Sequence, residues 1–181
     1  EGLREIHDFL ERNRCAVVTI IFESYVTAAA MQTAFDEAGL RDFLHTQKRG
    51  DPWPTLGEMV ASGHRLVVFT DREGGAFPWY HDVWAYAVET PFSAQDPEDL
   101  RNETNRGDLA NELFILNHFL TRRIGSQKLA EQVNFDPFFQ RRVDAFRNKF
   151  GRLPNFVTVD FYDVGDVQAV VDRLNRLDST P

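Results

Sequence analysis

The stretch Ala16-Val-Val-Thr-Ile-Ile-Phe22 is a short, mostly apolar run that is rich in β-branched residues. Such a run is typical of a strand buried on both faces, as the strands of parallel sheets are. A polar residue, Glu23, follows it, and residues 27–38 then carry apolar side chains at helical spacing before Gly39. A buried strand followed by a helix is the repeating unit of α/β proteins.

The same alternation recurs along the chain. Three more apolar runs predict strands, and a weaker one lies near 83–88. The three runs are Leu66-Val-Val-Phe69, Leu113-Phe-Ile-Leu116 and Phe156-Val-Thr-Val-Asp-Phe161. Helical patterns lie between them and after the last. We therefore predict a single α/β domain over 1–181 with parallel strands, ending in a frayed tail from Asp178. About five strands are predicted and a closed barrel needs eight, so an open sheet and part of a barrel are both compatible with the pattern.

Composition excludes several classes of protein. The chain has 181 residues, 43% of them hydrophobic, and a net charge of −8, which argues against a nucleic-acid partner and against a polybasic membrane anchor. No apolar run reaches the roughly 18 residues of a transmembrane helix. The single cysteine, Cys15, cannot form an internal disulfide and is predicted to be a buried thiol at the start of a strand. Because the chain enters a helical pattern directly from Glu1, we expect it to be a piece of a longer protein.

Polar side chains follow several of the predicted strands, where parallel α/β folds carry their active sites. Glu23 ends the first strand, Asn117 and His118 end a later one, and Asp160 lies near the end of the last, before Tyr162. Glu23 is a metal-ligand candidate or, as readily, a helix cap or a surface ion-pair partner. His118 is either a functional residue or a core histidine. Asp160 has apolar neighbours, which favours a functional role.

An aromatic stretch follows the second predicted strand and runs into the weaker one, and it includes Trp79 and Trp84. It is interpreted as a wall of a substrate pocket, a lipid-facing rim or core packing under a loop. The sequence contains no glycine-rich phosphate loop, no nucleophile-elbow motif and no paired-histidine metal motif.

Five segments in order give the chain a resemblance to a known family. They are Val17-Val-Thr-Ile-Ile-Phe-Glu23, Pro54-Thr-Leu-Gly-Glu-Met59, Arg65-Leu-Val-Val-Phe-Thr70, Leu116-Asn-His-Phe119 and Leu153-Pro-Asn-Phe-Val-Thr-Val-Asp-Phe-Tyr162. Together they cover almost the whole chain. It resembles the phosphatidylinositol-specific phospholipase C X-domain-like family of phosphodiesterases. The resemblance implies a TIM-type (β/α) barrel, of which this chain supplies the C-terminal five or so strands.

The resemblance also implies a reaction and roles for residues. Two histidines would cleave a phosphodiester by general acid–base chemistry with a cyclic phosphate product, and an arginine or calcium would stabilise the phosphate. Asp160 matches an aspartate that orients the base histidine, and Glu23 matches a calcium-ligand position. Tyr162 and the Trp79–Trp84 stretch would line the head-group pocket. Asn117 and His118, which match an Asn-His pair on a late strand, are assigned to substrate binding as well.

The chain's histidines do not match the two catalytic motifs, so the catalytic pair is expected upstream of Glu1. The leading hypothesis is a phosphoric diester hydrolase or lyase that acts on a phospholipid or inositol-phosphate-type molecule, with peripheral contact to a membrane. The chain alone is then expected to be inactive. A catalytically inactive head-group or protein binding module is the alternative, and a hydrolase using Glu23 and Asp160 as a carboxylate pair ranks third. The resemblance suggests a secreted or extracytoplasmic protein.

Overall fold

A computed structural model of the chain describes residues 1–123 and 125–177. The predicted frayed tail, Asp178 to Pro181, lies outside the described residues. The chain divides into two compact units, Glu1–Tyr86 and Ala87–Pro181, called unit 1 and unit 2 below. The single domain expected over 1–181 stays a prediction.

Unit 1 contains four helices and three strands. They are α1 (Gly2–Arg12), β1 (Val18–Phe22), α2 (Ala28–Glu37), α3 (Leu56–Ser62), β2 (Leu66–Thr70), β3 (Tyr80–Asp82) and α4 (Val83–Tyr86). The strands form a parallel sheet in the order β1–β2–β3, with Val18 opposite Leu66 and Val68 opposite Tyr80. All five residues of β2 are buried, as a central parallel strand requires.

The core of unit 1 lies between its sheet and helices α1 and α2. Phe35 and Leu40 are fully buried beside Leu10, Val68 and Tyr80. A buried arginine, Arg65, fixes the end of α1 to the sheet, because its guanidinium donates to the carbonyls of Leu10, Asn13 and Ala16 at 2.9–3.0 Å. A helix leaves its last carbonyls without helical partners, and this cation binds one of them, that of Leu10, together with the C-cap carbonyl of Asn13.

Unit 2 contains three helices and three strands among its described residues. They are β4 (Ala87–Glu89), β5 (Leu113–Asn117), α5 (Gln127–Val133), α6 (Phe138–Phe150), β6 (Phe156–Thr158) and α7 (Val167–Leu177). The strands are parallel in the order β4–β5–β6, with Ile115 opposite Phe156 and Asn117 opposite Thr158.

Helices α6 and α7 cover one face of this sheet. One face of α6 is fully buried at Phe139, Val143 and Phe146, and it packs with Phe114 of β5 and Val170 of α7. The long polar segment after β4 runs back along that strand, because Glu89 and residues 105–106 exchange two backbone hydrogen bonds of 2.8–3.0 Å.

The predicted TIM-type barrel is wrong, although the α/β class and the parallel strands are as predicted. The six strands form two separate three-stranded sheets, and no barrel closes among the described residues. The helix α4 occupies Val83–Tyr86, where the sequence predicted the weaker strand, so only three residues of strand β4 follow it. The last strand is also shorter than predicted, because β6 ends at Thr158.

The prediction for Cys15 is also wrong. Strand β1 begins at Val18, and Cys15 lies in an exposed turn between α1 and β1. The residues before the strand therefore belong to the connection that Arg65 holds, and not to the sheet.

Candidate functional site

A network of polar side chains joins the carboxyl ends of the three strands of unit 2. Asn117, the last residue of β5, donates through Nδ2 to Glu89 Oε2 at 3.0 Å and to the Thr90 carbonyl at 2.6 Å. Its Oδ1 accepts from the Thr158 hydroxyl at 2.7 Å. Strand β5 lies between β4 and β6, so the amide of Asn117 at its end can bond side chains at the ends of both neighbours.

Glu89 is a buried carboxylate, with only 3% of its surface exposed. Its Oε1 accepts from Arg106 Nε at 2.5 Å and from Asn105 Nδ2 at 3.0 Å, while Oε2 accepts from Asn117. Removing a carboxylate from water is costly unless several donors replace the water, and these three do so. The half-exposed Arg106 guanidinium also lies over the ring of Phe92, 4.5 Å from its centroid. Glu89 and Phe92 together position this cation at the end of β4.

His118 follows Asn117 and is fully buried. Its ring stacks on Phe139 with centroids 4.4 Å apart, and Nε2 donates to the Val133 carbonyl at 3.0 Å. Burial lowers the pKa of His118 to about 4, the hydrogen bond to Val133 opposes this, and the charge of Arg142 adds to the lowering. His118 is therefore neutral at pH 7. Its surroundings match the second of the two interpretations that the sequence allowed, that of a core histidine. Its assignment to substrate binding stays a prediction.

Arg142, on α6, is the buried cation beside His118. It donates to the Asn117 carbonyl at 2.9 Å, and its Nε and one Nη have no hydrogen-bond partner among the described residues. Burial lowers its pKa to about 10, so it is still charged at pH 7. It ties helix α6 to the residue that organises the strand-end network.

Asp160 is half-buried and lies two residues after β6. A side chain at Gly125 would collide with its carboxylate, because an added Cβ would lie 2.1 Å from Oδ2. Its backbone carbonyl accepts from Asn134 Nδ2 at 3.0 Å. No described residue donates a hydrogen bond to its carboxylate, so this group is available to a donor from elsewhere.

The two residues after Asp160 are exposed aromatic side chains. Phe161 has a φ of +52°, a left-handed conformation that costs a bulky residue about 1–2 kcal/mol. Tyr162 is 79% exposed and Phe161 is 44% exposed. Strained backbone beside an unpaired carboxylate is common at functional sites, and the role of Tyr162 in a head-group pocket stays a prediction.

In unit 1, Glu23 follows β1 and is exposed. It accepts a hydrogen bond from the Tyr25 hydroxyl at 3.0 Å, while Arg72 lies over the Tyr25 ring at 5.3 Å. Both the hydrogen bond to Glu23 and its negative charge raise the pKa of Tyr25. No group of three or more His, Cys, Asp or Glu side chains that could hold a metal occurs among residues 1–123 and 125–177. Glu23 as a calcium ligand stays a prediction that its surroundings do not support.

The aromatic stretch contributes to packing in unit 1. Trp79 is half-buried, lies 4.8 Å from the ring of Phe35 and stacks on Phe77 at 6.0 Å. Trp84 is half-buried in α4, and its backbone N–H donates to Asp82. These contacts match the core-packing interpretation. The assignment of Trp79 and Trp84 to the wall of a substrate pocket stays a prediction.

His81 is the second buried histidine. Its Nδ1 donates to the Val68 carbonyl at 2.9 Å, and its Nε2 accepts from the Gln47 N–H at 3.0 Å. Burial lowers the pKa of His81, and both ring nitrogens are occupied. His81 is therefore held within unit 1 by backbone groups on both sides of its ring.

The sequence did not identify three of the residues that organise unit 2: Glu89, Asn134 and Arg142. Glu89 follows two apolar residues, as Glu23 follows β1, and that spacing was the available signal. Asn134 and Arg142 lie in helical patterns, where burial of a polar side chain cannot be told from exposure. The sequence placed Asn117 and Asp160 at strand ends, and the structure brings Asn117 into the network but places Asp160 beyond it.

Comparison with known proteins gives one family. The sequence model described as PI-PLC X 1 matches residues 1–175. A PI-PLC X domain-containing protein of Arabidopsis thaliana is 30% identical over 187 residues, which covers 96% of this chain and 43% of that protein. Two proteins of Arthroderma benhamiae are also 30% identical. One is named an uncharacterized secreted protein (93% and 44% covered), and the other PI-PLC X domain-containing protein 1 (79% and 54%).

This chain spans about half the length of the curated relatives it matches. No solved structure matches it significantly. Across the described residues, no helix combines the length and apolar character needed to cross a membrane.

Proposed function

This chain belongs to the PI-PLC X domain family, and we propose on that basis that it forms part of a phosphoric diester hydrolase of the phosphatidylinositol-specific phospholipase C type. The observation that carries the proposal is Asp160. Its carboxylate is half-buried beyond the carboxyl end of a parallel strand and accepts no hydrogen bond from the described residues. A carboxylate held there is suited to accept the N–H of a catalytic histidine and fix its tautomer.

The histidines that move protons come, in this proposal, from sequence outside the chain. His81 is bonded to backbone groups through both ring nitrogens. His118 is fully buried and donates through Nε2 to the Val133 carbonyl, so both rings are shielded from solvent. The matching relatives are about twice as long as this chain, which leaves room for the two histidines. Because the described residues do not assemble a cation site around Glu23, no step is derived through calcium.

The proposed substrate is a phospholipid or an inositol-phosphate-type molecule. Exposed Tyr162, close to Asp160 in sequence, supplies aromatic surface for a head group or for peripheral contact with a lipid interface. The name of one fungal relative supports secretion, so we propose an extracytoplasmic location.

Turnover of phosphatidylinositol by the full-length protein tests this function. Replacing Asp160 with Asn should lower kcat by about 10²- to 10⁴-fold, because a histidine without its carboxylate partner loses its orientation. The matched control is Asp163→Asn, which removes an exposed carboxylate three residues away and should retain wild-type turnover. Equal activity of the two variants would contradict the role of Asp160. The 181-residue chain alone should be inactive, and turnover by it would contradict the upstream position of the histidines.

The alternative is a head-group or protein binding module without catalysis. The observation that favours it is that both buried histidines of the chain serve packing. In that case the full-length protein would bind phosphatidylinositol vesicles and leave the lipid intact, and Asp160→Asn would not change the amount bound.

A further inference from the structure

Asn134 is a fully buried amide at the C-terminal end of α5, where its own N–H closes the helix on Ala130. A buried amide needs partners, and its Nδ2 donates to two backbone carbonyls that are distant in sequence. These are the carbonyls of Asp160, at 3.0 Å, and of Phe161, at 3.3 Å.

The two carbonyls belong to the peptide groups on either side of the Phe161 Cα. The angle between those peptide planes is set by φ and ψ of Phe161, and one NH₂ group that binds both carbonyls holds that angle. The Val164 N–H also donates to the Phe161 carbonyl, at 2.9 Å. Together these bonds hold Phe161 at a φ of +52° although its ring is partly exposed and is not fixed by burial.

Two further contacts hold Asn134 against the same turn. The Asp166 N–H donates to the Asn134 carbonyl at 2.9 Å. Gly165, with a φ of +82°, approaches that carbonyl so closely that an added Cβ would lie 2.5 Å from its oxygen. The end of α5 and the turn after β6 are therefore packed backbone to backbone around the Asn134 side chain.

The direction of the Asp160 side chain depends on this turn. The carboxylate lies against Gly125, and no described residue donates a hydrogen bond to it. Hydrogen bonds to the side chain therefore do not set its direction. Its position follows from its backbone, and Asn134 holds the peptide that links Asp160 to Phe161.

We propose that Asn134 is a positioning residue that directs the Asp160 carboxylate by holding Phe161 in its left-handed conformation. This rests on the proposed function, in which Asp160 orients a catalytic histidine. Asn134 touches neither substrate nor histidine and acts through Asp160.

The test measures phosphatidylinositol turnover by the full-length protein. Asn134→Ala should lower kcat about 10- to 100-fold with KM unchanged, because a misplaced Asp160 impairs orientation and not substrate binding. The matched control is Asn111→Ala, which removes another amide that donates to a backbone carbonyl, that of Ala87, at the opposite end of the sheet. It should stay within about threefold of wild type.

Two double variants separate positioning from general damage. Adding Asn134→Ala to Asp160→Ala should not lower kcat further, because Asn134 acts only through Asp160. Adding Phe161→Gly to Asn134→Ala should restore most of the lost activity, since glycine adopts a positive φ without the amide. Multiplicative losses, or no recovery with glycine, would overturn the proposal. If Asn134→Ala does not fold, the same glycine should restore folding, and a double variant that stays unfolded also overturns it.

A crystal structure of the full-length Asn134→Ala variant keeps this test separate from the proposed function. Phe161 should leave the positive-φ region and the Asp160 carboxylate should move. If the wild-type protein turns over no lipid, the proposed function fails, and the positioning claim is decided by this structure alone. An unchanged Phe161 and Asp160 would refute it.

Discussion

Replacing His118 with glutamine should make the stability of the chain less sensitive to acid. In the folded chain the pKa of His118 is lowered to about 4, whereas an unfolded histidine titrates near 6.5. Between those values the unfolded chain binds a proton that the folded chain does not, so the free energy of unfolding falls as the pH falls. The two pKa values differ by an interval that, at about 1.4 kcal/mol per pH unit, corresponds to about 3 kcal/mol of the free energy of unfolding. This stability is fully present above pH 7 and is lost as the pH falls toward 4.

Glutamine suits this substitution because its amide can still donate to the Val133 carbonyl, as His118 Nε2 does, but cannot take up a proton. Urea unfolding of wild type and His118→Gln should be measured from pH 7.5 to pH 4.5. The free energy of unfolding of wild type should fall by about 2–3 kcal/mol more than that of the variant. His64→Gln, at an exposed histidine, is the control and should follow wild type. Parallel curves for wild type and His118→Gln would refute the assignment of His118 as a buried, neutral histidine.

Three further variants test the packing and the strand-end network of unit 2. Phe146→Ala should lower the free energy of unfolding by about 3–5 kcal/mol, measured by urea unfolding, because it leaves a cavity between α6 and β5; a loss below 1 kcal/mol would contradict its full burial. Glu89→Gln should lower the free energy of unfolding by about 1–3 kcal/mol, because Arg106 loses its charged partner while Asn117 keeps an acceptor. An unchanged urea midpoint would show that the ion pair contributes nothing to stability. Gly125→Ala should lower turnover by the full-length protein, because the new Cβ displaces the Asp160 carboxylate. Gly57→Ala, at an exposed helical glycine with no atom closer than 3.9 Å to the added Cβ, is the control and should retain activity. Equal activities of the two variants would contradict the close approach at Gly125.

The strands that the sequence predicted best are those with continuous apolar runs. Strands β2 and β5 begin at the predicted residues, Leu66 and Leu113, and extend one residue further, because complete burial leaves a run with no polar interruption. The end of β6 was predicted too late, since the left-handed conformation of Phe161 depends on Asn134, which is 27 residues away. No local pattern contains that contact.

The barrel could not be judged from strand patterns, because closure depends on which edges pair. The segment 83–88 has the apolar content of a strand, and four of its residues form a helix instead. Short segments of this kind are decided by their tertiary surroundings and not by propensity. The candidate site was predictable only in part for a similar reason. Asn117 and Asp160 lie at or near the ends of apolar runs, which made them candidates from the sequence, whereas the burial of Glu89 depends on donors supplied by residues 105–106.

The polar segment after β4 has a consequence for proteolysis. Its backbone is hydrogen-bonded to Glu89 at residues 105–106, and the Ala94 carbonyl accepts from the Thr121 N–H. Two further hydrogen bonds join Arg142 to residues 101–102. A protease needs a stretch of chain released from its neighbours, so cleavage here must wait for local unfolding, and its rate will report the free energy of opening this segment. The polar segment after β4 is thus expected to be cut slowly by a protease added to the folded protein.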